Sequence, residues 1–104
     1  MFELEWTEEA ERAYNLLKGD TSRKKRYKAV KKAVKFLAKD PRHNSLRTHE
    51  YRSLKGPKGK KVFEAYTEQE TPAAYRVFWY YGPADGVITI IAITSHPKSR
   101  INTP

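Results

Sequence analysis

Ala74-Tyr75-Arg76-Val77-Phe78-Trp79-Tyr80-Tyr81-Gly82-Pro83-Ala84-Asp85-Gly86-Val87-Ile88-Thr89-Ile90-Ile91-Ala92-Ile93-Thr94 decides the fold. Residues 74–81 are rich in aromatic and β-branched types, which suit a pleated surface. Their alternation puts Tyr75, Val77, Trp79 and Tyr81 on one face and Arg76, Phe78 and Tyr80 on the other. Residues 87–94 are apolar on both faces, the mark of a central strand. Gly82-Pro83-Ala84-Asp85-Gly86 between them predicts a turn and an antiparallel hairpin.

Working outward, Val62–Thr67 predicts a short third strand before the hairpin. Residues 41–61 are basic, with two Gly and a Pro in their second half, and predict a loop that Leu46 and Leu54 anchor to the core. Pro41 stops a helix that begins near Asp20 or Thr21 and runs to Asp40. Its apolar stripe is Tyr27, Val30, Ala33, Val34 and Leu37; Lys24, Lys28, Lys31, Lys32, Lys35 and Lys39 lie roughly 150° away around the wheel. That stripe is either a solvated face or a phosphate-facing one. Thr7 followed by Glu8 and Glu9 predicts a capped start for an earlier helix, with Ala10, Ala13, Tyr14 and Leu17 facing inward and Lys18-Gly19-Asp20 as its end. Residues 2–6 alternate apolar and acidic like a half-buried strand, and residues 95–104 predict an irregular tail. The order is β-α-α-β-β-β. The expectation is one α+β domain over residues 1–104, a helical hairpin packed on one face of an antiparallel sheet. The first strand belongs at the sheet edge or beside the last strand.

Composition narrows the class. With 104 residues the chain suits one domain; its 38% hydrophobic and 12% aromatic content is too high for a disordered chain. The absence of cysteine excludes disulfides and thiolate metal sites. The three His show neither HxxxH nor HxH spacing, so neither metal nor cofactor is expected. No stretch reaches the roughly 20 apolar residues that span a bilayer, and the acidic start is unlike a signal peptide; a cytoplasmic protein without a membrane partner is expected. The net charge of +9 is unevenly spread: residues 1–17 carry −4, residues 18–61 carry +14 and residues 62–104 carry −1. A polyanion or an acidic protein is the natural complement of that middle segment.

Leu54-Lys55-Gly56, Val62-Phe63-Glu64-Ala65, Tyr75-Arg76-Val77-Phe78-Trp79-Tyr80 and Ser95-His96-Pro97, in this order after a strand and a helical hairpin, resemble the RelE/ParE toxin superfamily over roughly residues 2–96. The resemblance implies helices on one side of a concave, basic, open sheet face, and an antitoxin that wraps the toxin. It also implies one of two activities: cleavage of mRNA in the ribosomal decoding site, or poisoning of DNA gyrase without nuclease activity. A non-toxic RNA-binding relative is a third reading.

Cleavage through attack of a 2′-hydroxyl on the adjacent phosphate needs a proton acceptor, a proton donor and positive charge around the phosphorane. The resemblance assigns Arg76 to the phosphate, since a guanidinium holds two oxygens at once; Arg76 could equally pair with Glu64 on the neighbouring strand. His96, after the last strand, and His49, between Arg47 and Arg52, are candidates for proton transfer, and Lys61 is the fourth candidate catalytic residue. Arg47, Arg52, Lys55, Lys58 and Lys60 are expected to bind RNA phosphates, and Tyr81 to stack on a base. The sequence departs from the RelE branch where that branch carries lysines on the strand before the Tyr-Arg segment: those positions are Phe63 and Ala65. The tyrosine expected after the final basic residue is also absent from Pro97-Lys98-Ser99-Arg100-Ile101.

Overall fold

The architecture comes from a computed structural model that describes residues 1–69, 71 and 73–95. The chain runs β1 (Glu3–Trp6), α1 (Glu8–Lys18), α2 (Lys24–Lys39), β2 (His49–Lys55), β3 (Lys61–Tyr66), β4 (Tyr75–Tyr81) and β5 (Val87–Ser95), with single 3₁₀ turns at Thr21–Arg23, Asn44–Leu46 and Pro57–Gly59. The sheet order is β1-β5-β4-β3-β2. β4 and β5 form the expected antiparallel hairpin, and β5 is central, between β4 and β1. β1 is both at the edge and beside the last strand; it runs parallel to β5, which makes the sheet mixed. Gly86 closes the β4–β5 turn at φ +80, a conformation that favours glycine.

Both helices form where the capping and stripe residues put them. The Thr7 hydroxyl accepts from the Ala10 backbone N–H at 3.1 Å, and the Asp40 N–H closes α2 on the Phe36 carbonyl. Asp20 caps the 3₁₀ turn ahead of α2, with Oδ1 accepting from the Ser22 N–H at 3.0 Å. Ala10, Leu17, Val30, Ala33, Val34 and Leu37 are buried against Ala65, Val77, Trp79, Ile88, Ile90 and Ile93 of the sheet. Leu46 is buried in the same core.

One expectation needs correction. Residues 49–55, read as loop, form the edge strand β2, antiparallel to β3. The register shifts between Glu50 and Lys55. Tyr51 and Leu54, three residues apart, therefore meet the same small apolar cluster with Val62, Phe78, Ile91 and Ala92. Five steps along β2, Glu50 to Lys55, stand against two along β3, Phe63 to Lys61, and extra residues of this kind destroy the period of two by which a strand is recognised. This second cluster lies on the sheet face away from the helices, as the registers Glu64↔Phe78 and Phe78↔Ala92 require.

Candidate active site on the open sheet face

The helix-free face carries a compact group of polar side chains beside the Tyr51–Phe78 cluster. Glu64 on β3 is its centre, only 4% exposed although it is a carboxylate. Burying a carboxylate is costly unless its oxygens are partnered. Both are: Oε1 lies 2.8 Å from His49 Nε2, and Oε2 accepts from Arg76 Nη1 at 3.2 Å. The His49↔Glu64 register and the position of Arg76 beside Glu64's partner Phe78 place these residues on three adjacent strands.

His49 is held from both sides. Its Nδ1 lies 3.0 Å from the Arg47 carbonyl oxygen. Both ring nitrogens thus face an oxygen acceptor; a neutral ring can donate to one of them and a protonated ring to both. Arg47 adopts a left-handed conformation, φ 47, two residues before the strand begins. The Arg76 guanidinium lies over the Tyr66 ring, 3.9 Å from its centroid, and the His49 ring meets the same tyrosine edge-on at 5.7 Å. The Arg76 side chain is 26% exposed and that of His49 48%, so both side chains reach the surface while the carboxylate beneath them does not. Arg76 Nε and the hydroxyls of Tyr51 and Thr94 are buried without a hydrogen-bond partner among the described residues. Thr94 is the direct cross-strand partner of Arg76.

The expected site residues divide. Arg76 and His49 come together on one carboxylate, and the Arg76–Glu64 pair weighed as a structural alternative is present. Arg47 contributes its carbonyl, with the side chain exposed. Arg52 is an exposed side chain 3.7 Å from Glu50. Lys55, Lys58, Lys60 and Lys61 are all exposed around the β2–β3 hairpin. Lys61 shares the alternation of Phe63 and Ala65, both packed toward the helices, so it is not brought to Glu64. Tyr81 also turns to the helix side, its ring 4.8 Å from Trp79, 5.6 Å from Phe63 and 5.8 Å from Phe2. That is a core position, not a stacking platform. His96 lies outside the described residues.

Two residues enter the site that the sequence reading did not name for function, Glu64 and Tyr66. Their signal was available: Val62, Glu64 and Tyr66 alternate on a readable strand, and Glu64 is the polar residue at its centre. Among the described residues no three His, Asp or Glu cluster in a way that could hold a metal ion.

No protein-family model matches the chain, and no curated protein matches it in sequence. Solved structures do. The chain is similar to the archaeal RelE–RelB complex from Pyrococcus horikoshii, with 16% identity, 93% of this chain and 97% of that one covered, and a TM-score of 0.63. It is similar to a YoeB/ParE toxin from Agrobacterium tumefaciens, with 14% identity, 91% and 99% coverage and a TM-score of 0.65. It is also similar to the YoeB dimer from Staphylococcus aureus, with 16% identity, 91% and 97% coverage and a TM-score of 0.58. The fold is therefore that of the RelE, YoeB and ParE-type toxins, spanned over nearly its whole length.

Proposed function

We propose that this chain is the toxin of a toxin–antitoxin pair and a ribosome-dependent endoribonuclease acting on mRNA in the cytoplasm. The observation that carries the reading is the buried Glu64 carboxylate bridged by His49 and Arg76 on an open, lysine-bordered sheet face. Each carboxylate oxygen keeps lone-pair capacity beyond its present partner. Glu64 accepts the proton of the attacking 2′-hydroxyl. Arg76, stacked on Tyr66, holds the phosphate oxygens as charge develops on the phosphorane. His49, in its protonated form, returns a proton to the departing 5′-oxygen; His96 is a second candidate for that step. Tyr66 and the lysines of the β2–β3 hairpin hold the RNA strand across the face. The fold relatives support an antitoxin partner through the RelE–RelB complex. Among the described residues no helix is long and apolar enough to cross a membrane.

The test is mapping of mRNA 5′ ends on programmed ribosomes incubated with the protein and its Glu64→Gln, Arg76→Ala, His49→Ala and His96→Ala variants. Cleavage is expected to fall by about 10²-fold or more for Glu64→Gln and Arg76→Ala, the usual scale for an acid–base group or a transition-state donor. A second reading draws on Phe63 and Ala65, which face the helices where the RelE branch places lysines: a ParE-type toxin that binds gyrase and cleaves nothing. Absence of cuts with the unaltered protein, together with gyrase inhibition that survives His49→Ala, would establish that reading instead.

A further inference from the structure

A second cationic surface lies on the other side of the molecule, and the site above makes no use of it. Lys24, Lys28, Lys31, Lys35 and Lys39 of α2 are all exposed. At 100° per residue they fall within about 80° of one another around the helix axis and span about 22 Å along it. The opposite side of α2, Val30, Ala33, Val34 and Leu37, is the one packed on the sheet. The five lysines therefore form a straight row pointing away from the Glu64 face.

The row has no internal counter-charge. Among the described residues the ion pairs are Arg12–Glu8, Arg23–Asp20, Arg26–Glu68, His49–Glu64, Arg52–Glu50 and Arg76–Glu64, and none involves these lysines. Three pairs in the row, 24/28, 31/35 and 35/39, stand at i,i+4, where like charges repel. The helix begins with no acidic residue in its first turn and no side-chain cap, so Lys24 and Lys25 also oppose the positive end of its dipole. The sequence thus holds charge here against the helix's own electrostatics, which a solvated surface does not require: solvated helices mix signs, as α1 does with Glu8, Glu9, Glu11, Arg12 and Lys18.

We propose that this outer face of α2 docks the phosphodiester backbone of double-helical RNA. The chemistry selects the occupant. Every group in the row is a flexible ammonium, a point charge that neutralises phosphate without reading sequence. A membrane surface fits poorly, because no large exposed apolar side chain accompanies the row: among the described residues the exposed large hydrophobics are Met1 and Leu16, both outside α2. RNA is preferred over DNA because the opposite face is read as an RNA site; in that choice alone the inference rests on the proposed function. The two faces would let the molecule hold structured RNA behind it while a single strand crosses the sheet.

The experiment measures binding of a fully paired RNA hairpin by fluorescence anisotropy across a salt series. It compares the intact chain, the triple variant Lys28→Gln/Lys31→Gln/Lys35→Gln, the matching Lys→Arg triple and Arg76→Ala, each checked by circular dichroism. The Gln triple is expected to bind about tenfold to a hundredfold more weakly at physiological salt, with the slope of log K against log salt shallower by roughly two to three. The Arg triple should keep both, and Arg76→Ala, which removes one phosphate contact from the other face, should lower the slope by at most about one. An unchanged slope in the Gln triple overturns the proposal, as does a slope lost in Arg76→Ala instead. Tighter binding of the same hairpin made of DNA overturns RNA as the occupant. Binding of phosphatidylserine vesicles or polyglutamate that the Gln triple abolishes, with RNA binding unaffected, assigns the face to another partner.

Discussion

Glu64 has two oxygens and two nitrogen-bearing neighbours, and the neighbours are not equal. Arg76 is permanently charged and partly covered, whereas the His49 side chain stands half in water. Removing the carboxylate leaves the guanidinium partly buried without its counter-ion. Glu64→Ala is therefore expected to cost roughly 3 kcal/mol in urea unfolding. The Glu64→Ala/Arg76→Ala double variant should cost clearly less than the sum of the two singles, because each single strands the other's charge. A second residue-scale prediction concerns Tyr14. Burial, aided by its hydrogen bond with Tyr27, pushes its hydroxyl from 10.0 up to about 12. The folded state then keeps a proton that the unfolded state releases at about 10. Its contribution is complete below pH 10 and is lost as pH rises through 12. Chemical denaturation at stepped alkaline pH should show that decline, and Tyr14→Phe should make it shallower.

The elements differ in how openly their sequences declare them. β3, β4 and β5 alternate cleanly or run apolar, so the Arg76–Glu64 pairing can be anticipated from their registers. β2 cannot be read in the same way: its shifted register brings Tyr51 and Leu54, three apart, to one cluster, and nearby Gly56 and Pro57 signal a loop. His49 enters the site through β2: its residue type marks it as a candidate in the sequence, but its place beside Glu64 cannot be read there. Tyr81 fails differently. Its alternation with Tyr75, Val77 and Trp79 already places it on the helix side, and only its position at the strand end suggests access. At this scale α2 carries a stability consequence. Lys35→Glu turns repulsion by Lys31 and Lys39 at i,i+4 into attraction, and thermal melting at low salt should show a gain of roughly 1 kcal/mol. The gain should shrink as salt screens the row.

At the scale of the molecule, the segment that carries +14 supplies both cationic surfaces, α2 behind the sheet and the β2–β3 hairpin beside its open face. Charge counted along the chain reveals that surplus, but only the fold divides it between two sides. The same holds for the first strand. Phe2 to Trp6 is legible as a strand, whereas its parallel partnership with β5 depends on the helical hairpin carrying the chain back along one face. That partnership also orders events during synthesis. β1 is made well before its partner: among the described residues its ladder is with a strand that begins at Val87. The sheet cannot close until β5 has been made, and non-local pairing of this kind forms slowly. A ribosome making this chain must therefore finish β5 before its product can become a folded protein.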